Sequence, residues 1–542
     1  MSGWTDHLAI APIVVPLLAC ALMVLLGERR RRAQAAVGLA STLALLALAP
    51  LLLGAADGAA GAVARVYRLG DWPALFGIVL VLDRLSAMMV ALTALLGAAA
   101  LAFSLQRWHR AGAHFHPLFQ VQLMGLNGAF LTGDLFNLFV FFEVTLAASY
   151  GLALHGSGAA RVRAGLHYIA INLAASLLFL VAVSVVYGIS GTLNMADLAR
   201  RMAELAEADR ALLEAGLAVL GVAFLIKAAA WPLGFWLPGT YAAASAPAAA
   251  VLSVLSKVGV YAVLRLWLLL FGEGTGGDPP GLGGGWLMAG GLLTIAFGSV
   301  AVLAAQGLGR LAGASVLVSS GTLLAAVGAG QAAVTGGALF YLASSVPALA
   351  ALFLLIELVE RGRDVGADVL AVTREAFGEG EEDEYLNDDE EVGVAIPAAM
   401  AALGLGFLGC ALLIAGLPPL SGFLAKFAIL APLFGTAGGA AVTAGGWGLL
   451  AALVLSGLAT VVAMTRAGID AFWASPAGTV PRVGVVEFAP IAVLLALCLG
   501  LTVLAGPAMR YMQATAEALH APRTYVQGVL PPDPGAGAGR GR

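Results

Sequence analysis

Apolar runs of roughly 20 residues recur along the whole 542-residue chain, and about 20 residues is the length an α-helix needs to cross the hydrocarbon core of a bilayer. Fourteen such segments are predicted. They lie near 8–27, 35–54, 80–104, 113–132, 135–154, 165–188, 211–230, 242–271, 285–305, 311–330, 335–358, 393–416, 443–465 and 485–508, and the short Pro-led run at 420–435 reads as the second half of the twelfth. The runs are continuous rather than alternating over about ten residues, which argues against a β-barrel. Composition agrees: 61% of residues are hydrophobic and 11% charged, against about a quarter charged in soluble domains, and the mean hydropathy is +0.94. The predicted fold class is all-α integral membrane.

Several kinds of chemistry are excluded. A phosphate-binding loop needs Lys followed by Ser or Thr, and a zincin motif needs His followed by Glu. The three lysines precede Ala228, Val258 and Phe427, and none of the seven histidines precedes a glutamate. Cys20, Cys410 and Cys498 are far apart in apolar runs and read as small buried hydrophobes, not a disulfide or an iron–sulfur site. LLAC at 17–20 faintly resembles a lipoprotein cleavage site, but no basic residue precedes it and the run continues to ERRRR, so it reads as a first spanning helix. No cofactor and no nucleic-acid partner are expected, and no metal site is assigned.

The positive-inside rule orients the chain. Arg29, Arg30, Arg31 and Arg32, then Arg107 and Arg110, Arg161 and Arg163, Arg310, Arg361 and Arg363, Arg466 and Arg482 fall on one side; Arg65, Arg68, Arg200, Arg201 and Arg210 fall on the other. With an even number of spans, both termini are expected on the non-cytoplasmic side. Residues 193–209 place Leu193, Met195, Leu198, Met202 and Leu205 at near-helical spacing, which predicts an amphipathic helix on the membrane surface. Residues 374–391 hold ten of the 32 acids and read as a solvated loop, with a partner-docking or cation-attracting loop as the alternative. The tail 530–542 is Pro/Gly-rich and is expected to be disordered.

Lysine occurs only at Lys227, Lys257 and Lys426, whereas arginine occurs 25 times, and all three lysines fall within predicted spans. An ionisable group at the bilayer centre costs about 2.5–3.5 kcal/mol and is a functional candidate by default. Snorkelling to the interface explains one such lysine readily, but three of three poorly. Arginine stays protonated, while a desolvated lysine can give up its proton, so the three suggest a proton relay rather than fixed counter-ions. Glu143, mid-span in LFNLFVFFEVTLAASYG, has apolar neighbours and must face the bundle interior. Asp134, nine residues earlier and on the opposite face at 100° per residue, reads as an N-cap. Ser253 and Ser256 share a helical face with Lys257, so their hydroxyls are expected to order water beside the ammonium.

Two of the lysines lie next to helix breaks. Lys227 precedes Pro232 in FLIKAAAWPLGFWLP, and Pro418 and Pro419 precede Lys426 in LPPLSGFLAKFAIL. PLGFWL and PLSGFL look like one element used twice. Proline frees a carbonyl, which within a membrane is tolerated where protein or water satisfies it, and paired broken helices point to an ion path. Either proline alone would be explained by a simple kink.

MGLNGAFLTGDLFNLFVFFEV (124–144), the Lys-Ala-Ala-x-x-Pro-Leu segment at 227–233 with WLP at 236–238, and GLPPLSGFLAK (416–426) resemble the antiporter-like proton-translocating subunits. That family spans respiratory complex I, membrane-bound hydrogenases and Mrp-type Na⁺/H⁺ antiporters, and the similarity covers about 75–510. NGAFLTGDLFNLFVFFE and the acidic stretch before the twelfth span are most similar to the D-type subunits of the Mrp branch. The resemblance implies fourteen helices with two inverted five-helix repeats, spans 4–8 and 9–13. It divides the chain into 1–110, a first repeat 111–271, a second repeat 284–468, a last helix 485–508 and a tail 509–542. It implies that Glu143, Lys227, Lys257 and Lys426 form a polar axis carrying protons, that other subunits of a hetero-oligomeric complex are the partners, and that a bacterial plasma membrane is the site. Protons and Na⁺ would be the substrates, with K⁺ or Li⁺ as alternatives. Complex I relatives often carry histidines or a lysine on the eleventh span, where this chain has Ser344 and Ser345. Water ordered by Ser319, Ser320, Thr322, Ser344 and Ser345 would have to fill the stretch between Lys257 and Lys426.

Three functions follow as expectations: a subunit of a cation/proton antiporter, a redox-driven pump subunit, or a membrane scaffold in which all three lysines are replaceable. No cluster of intramembrane carboxylates suited to Na⁺ accompanies Glu143.

Overall fold

The computed structural model describes residues 4–58, 65–72, 77–156, 158–271, 284–361, 398–435, 442–472 and 483–530. The first helices are α1 (Ala11–Leu26), α2 (Arg31–Asp57) and α3 (Arg84–Ser104). Between α2 and α3, strands β1 (Arg65–Arg68) and β2 (Val79–Leu82) pair antiparallel with Arg65 opposite Leu82. A first group follows: α4 (Phe115–Leu131), α5 (Leu135–Ala153), α6 (Ala159–Ser190), the short α7 (Met195–Met202), α8 (Glu207–Lys227), α9 (Trp236–Ala243) and α10 (Ala246–Phe271). The second group is α11 (Gly284–Ala304), α12 (Leu308–Gly328), α13 (Ala332–Arg361), α14 (Ala398–Ala415), α15 (Ser421–Phe434) and α16 (Ala444–Phe472). The chain closes with α17 (Val485–Val503), α18 (Ala505–Leu519) and α19 (Pro522–Val529). Among the described residues, eleven helices are long and apolar enough to cross a membrane, and α1 and α15 are apolar but shorter. The protein is a nearly all-helical, multi-pass membrane protein.

Burial sorts the helices. α10, α12 and α13 lie almost wholly inside, while α11, α14 and α17 leave most of their apolar surface exposed. Outward positions such as Leu166, Leu173, Leu177 and Val181 on α6 are apolar and exposed, as a lipid-facing surface must be because hydrocarbon cannot hydrogen-bond a polar one. Close approach depends on small residues. A Cβ at Gly259 would lie 2.6 Å from the Ala228 backbone nitrogen, so glycine lets α10 press against the end of α8. Arg107, Trp108, Arg161 and Arg361 gather on one side of the bundle, around a shared cavity. The opposite side carries the hairpin, α7 and α19.

Both broken-helix elements are present. α8 ends at Lys227, Ala229 takes a left-handed φ of 57°, and α9 begins at Trp236. α14 ends at Ala415, Gly416 has φ 76°, and α15 begins at Ser421. The Trp231–Pro232 and Pro418–Pro419 peptides are both cis.

One expectation changes. In the segment 193–209 the apolar face meets protein. Its helix is only Met195–Met202, with Met195, Leu198 and Met202 buried under neighbouring elements. The charges allow this because Asp197, fully buried, accepts from Arg200 Nη2 at 2.5 Å and Arg201 Nε at 2.8 Å. The tail from 509 is helical as far as 529: Met512, Leu519, Tyr525 and Val529 give α18 and α19 an apolar face that docks on the body. The acidic stretch 374–391 and residues 531–542 lie outside the described residues.

The second break yields a prediction. A side chain at Gly416 would be left-handed, at a cost of about 1–2 kcal/mol, and its Cβ would stand 2.7 Å from Lys426 Cδ. Gly416→Val is expected to lower the thermal midpoint and the monodisperse yield in detergent, measured by unfolding and size exclusion. Gly54→Ala, with nothing within 4 Å of the new Cβ, leaves both unchanged.

Candidate functional site

The Asp134 side chain accepts the Asn137 backbone N–H at 2.9 Å and starts α5. Asp134 is therefore a cap, and Glu143 follows at about 13 Å along the helix. Glu143 is half-buried and reaches α6, where Ser176 donates its hydroxyl hydrogen to Glu143 Oε1. Lys227 Nζ, at the end of α8, donates to Ser176 Oγ at 3.3 Å. One hydroxyl thus joins carboxylate and ammonium. Among the described residues, no Asp or Glu forms a direct ion pair with Lys227. The expected Glu143–Lys227 pair is bridged rather than in contact. The Lys227 ammonium also stands 5.0 Å from the centre of the Phe142 ring, within cation–π range. The last turn of a helix favours a cation, because its free carbonyls are the negative end of the dipole.

Lys257 lies near the middle of α10 and is fully buried. Its ammonium donates to Ser320 Oγ at 2.9 Å and to the Val316 carbonyl at 3.4 Å, both on α12. Ser253 and Ser256 donate instead to carbonyls of their own helix, Ala250 at 2.6 Å and Ser253 at 3.2 Å. Serine hydroxyls in helices often turn back in this way, so sharing a face with the lysine does not bring them to its ammonium.

A line of hydroxyls continues from α12 toward Lys426. Ser319 and Ser345 share a hydrogen bond at 3.2 Å, and Ser344 and Ser421 share one at 2.8 Å. Ser315, Ser319, Tyr341, Ser344 and Ser345 border a cavity with about 10 Å³ of room, close to the space one water needs. Thr322 bonds its own helix at Val318. Lys426, five residues beyond Ser421 on α15, donates to the Ala415 carbonyl at 2.7 Å. That carbonyl ends α14, so the second break presents its negative end directly to an ammonium.

A larger cavity, of about 300 Å³, lies on the arginine-rich side and is bordered by Arg107, Trp108, Arg161, Tyr241, Glu357 and Arg361. It has room for a cluster of waters. Trp108 Nε1 donates to Glu357 Oε2 at 2.6 Å, and Arg361 Nε donates to Glu357 Oε1 at 3.1 Å. Tyr241, on the cavity wall, donates to the Leu252 carbonyl at 2.6 Å, five residues before Lys257.

Sequence reasoning missed Ser176, Ser315, Tyr341 and Ser421 as members of this line. Ser421 stood inside the quoted PLSGFL, and Ser176 is a polar residue in an apolar run, so both had a signal. It also missed Arg265, a charge within a span to which the rule applied to the lysines applies equally. Arg265 donates to both carboxylate oxygens of Asp83, with Nη2–Oδ1 at 2.9 Å. Among the described residues, no group of three His, Cys, Asp or Glu is placed to hold a metal ion. The site joins ammonium, hydroxyl and carboxylate groups, and hydroxyls both donate and accept. Such a set can pass protons.

Comparison with known proteins gives the family. A family described as NADH:quinone oxidoreductase/Mrp antiporter, TM, matches residues 132–451. The chain is 59% identical to the D-type subunit of the probable K(+)/H(+) antiporter of Rhizobium meliloti (strain 1021), over 98% of each. It is 33% identical to the D-type subunit of the Na(+)/H(+) antiporter of Alkalihalophilus pseudofirmus, covering 97% of this chain and 99% of that protein. Its fold matches a chain of the Mrp complex from Dietzia sp. DQ12-45-1b with a TM-score of 0.80 and 25% identity, covering 97% and 99%. The chain belongs to the family of membrane subunits shared by NADH:quinone oxidoreductases and Mrp antiporters.

Proposed function

We propose that this chain is the proton-carrying subunit of a multisubunit monovalent cation/proton antiporter, acting as a secondary transporter without covalent chemistry. The observation that carries this reading is the bridge from Glu143 through Ser176 to Lys227, followed by Lys257 on Ser320. Glu143 holds Lys227 charged through the serine. When that bridge opens, Lys227 releases its proton toward Lys257. From there the serine line and its water lead to Lys426 at the second break. The arginine-rich cavity is the water-filled approach, and by the positive-inside rule it faces the cytoplasm of a bacterial cell, with both termini on the far side. The two groups α4–α10 and α11–α16, each with one broken helix, act as inverted repeats about this line. Other subunits of the complex are the partners, and the cation path lies outside the relay.

K⁺ is favoured over Na⁺ as the coupled ion, since the relative at 59% identity is named for K⁺ and the one at 33% for Na⁺. A redox-driven pump is disfavoured on the same grounds, both relatives being named as antiporter subunits.

Everted vesicles carrying the whole complex, with a pH-sensitive dye, test the relay. Glu143→Ala and Lys227→Ala are expected to abolish cation-induced proton movement, and normal movement in either would sink the relay. Ser176→Ala, which removes only the bridge, should slow it about tenfold to a hundredfold. A hydrogen bond to a charged group is worth about 1.5–3 kcal/mol, and 1.36 kcal/mol is tenfold in rate. In the same vesicles K⁺ is expected to drive larger dye responses than Na⁺ or Li⁺; a response to Na⁺ alone would reverse the assignment of the ion.

A further inference from the structure

On α10, Lys257, Tyr261 and Arg265 follow at i, i+4 and i+8, and therefore line one face. Arg265 stands about 12 Å beyond Lys257, toward the side that carries the hairpin. Arg265 Nη2 donates to Tyr261 Oη at 3.3 Å, and Tyr261 Oη donates to the Phe130 carbonyl at 2.7 Å. This polar stripe leads from the middle of the membrane outward without passing Lys426. A proton following it would cross without being coupled to anything.

Two features close the stripe. The first is dry. Between α10, α12 and α13 the neighbouring space holds about 10 Å³ and is walled by apolar residues, among them Val260, Leu264, Leu323, Leu339 and Leu342. The two hydroxyls at its edge are already engaged, Tyr261 with Phe130 and Thr335 with His520 Nε2 at 3.0 Å, so a water there would lack partners. The second is chemical. Arg265 is permanently protonated, buried and held by the Asp83 carboxylate, so it offers no lone pair to an arriving proton.

The guanidinium is fixed from several directions. Asp83 binds it bidentately and is itself locked as the cap of α3, accepting from the Ser86 N–H at 2.8 Å and receiving the Ser86 hydroxyl on its own N–H at 2.9 Å. The rings of Tyr261 and Tyr525 lie 5.5 and 5.3 Å from the guanidinium carbon. Thr515, Leu519 and Pro522 help close a cavity of about 20 Å³ over the pair, room for one water. Tyr511 fastens this roof by donating to the Arg84 carbonyl at 2.9 Å. A buried ion pair is weak evidence for stability, so another role is to be sought for it.

We propose that the Asp83–Arg265 pair, roofed by α18 and α19, is a seal that prevents protons at Lys257 from leaking across the hairpin-bearing half of the protein. The seal rests on the relay reading, since it matters only if Lys257 carries protons.

The test is passive proton flux into proteoliposomes containing the whole complex, after an acid pulse and without a coupled cation. R265Q and D83N are expected to raise this flux about tenfold, as a barrier lowered by 1.36 kcal/mol would. K257M placed on R265Q should remove the leak. Y525A, which leaves the pair intact and opens its roof, gives a smaller leak and serves if R265Q does not assemble. Vesicles as tight as wild type with R265Q and Y525A would overturn the seal. So would a leak that survives K257M, or antiport slowed by R265Q without a leak, which would make the pair an exit. K257M alone with full antiport would overturn the relay instead, so the two failures are separable.

Discussion

The cost of holding charge in hydrocarbon governs this structure. Three lysines at about 2.5–3.5 kcal/mol each sum to about 9 kcal/mol, comparable to the whole folding stability of a typical domain. Each is offset differently. Lys227 has a carboxylate at one remove, Lys426 has the end of a helix, and Lys257 has one hydroxyl and one shared carbonyl. The burial of α10, α12 and α13 follows from this. The residues around Lys257 must be enclosed by protein, because lipid offers them nothing to bond.

The breaks are a second answer to the same cost. A helix that stops inside the bilayer exposes carbonyls that need donors. At Ala415 the donor is the lysine itself, so two groups that would each be unfavourable alone satisfy one another. Glycine at 416 and 422 makes the arrangement possible. A Cβ at 422 would come within 2.0 Å of the Leu413 carbonyl oxygen, a clash with backbone that no rotamer relieves.

Helix positions were legible in the sequence because length and apolarity alone set them. All fourteen expected segments overlap helices, although α8, with its several charges, and the shorter α1, α4 and α15 fall outside the eleven that meet the membrane criterion by length and composition. The charged members of the site were legible because intramembrane charge is rare. Hydroxyls were not. Ser253 and Ser256 share a face with Lys257 yet turn back to their own helix, while Ser176, in an uncharged stretch of α6, joins Glu143 to Lys227. Periodicity states which residues share a face, but not which hydroxyl another helix will meet. The same limit hid the burial of α7 and the docking of α18 and α19, since an amphipathic pattern is the same whether its apolar face meets lipid or protein.

The hydroxyls between Ser319 and Ser421 carry a consequence of their own. Each has one hydrogen and two lone pairs, so it can hand a proton forward only by accepting another from behind. A passage in that manner leaves every hydroxyl in the line pointing backward. The next proton finds donors where it needs acceptors until each group has rotated about its C–O bond. A lysine recovers by gaining or losing a proton, whereas a serine recovers by turning. Where the eleventh span carries serines in place of a titrating group, a line that carried protons would therefore keep a memory of its last passage, and its turnover would include the time needed to erase it.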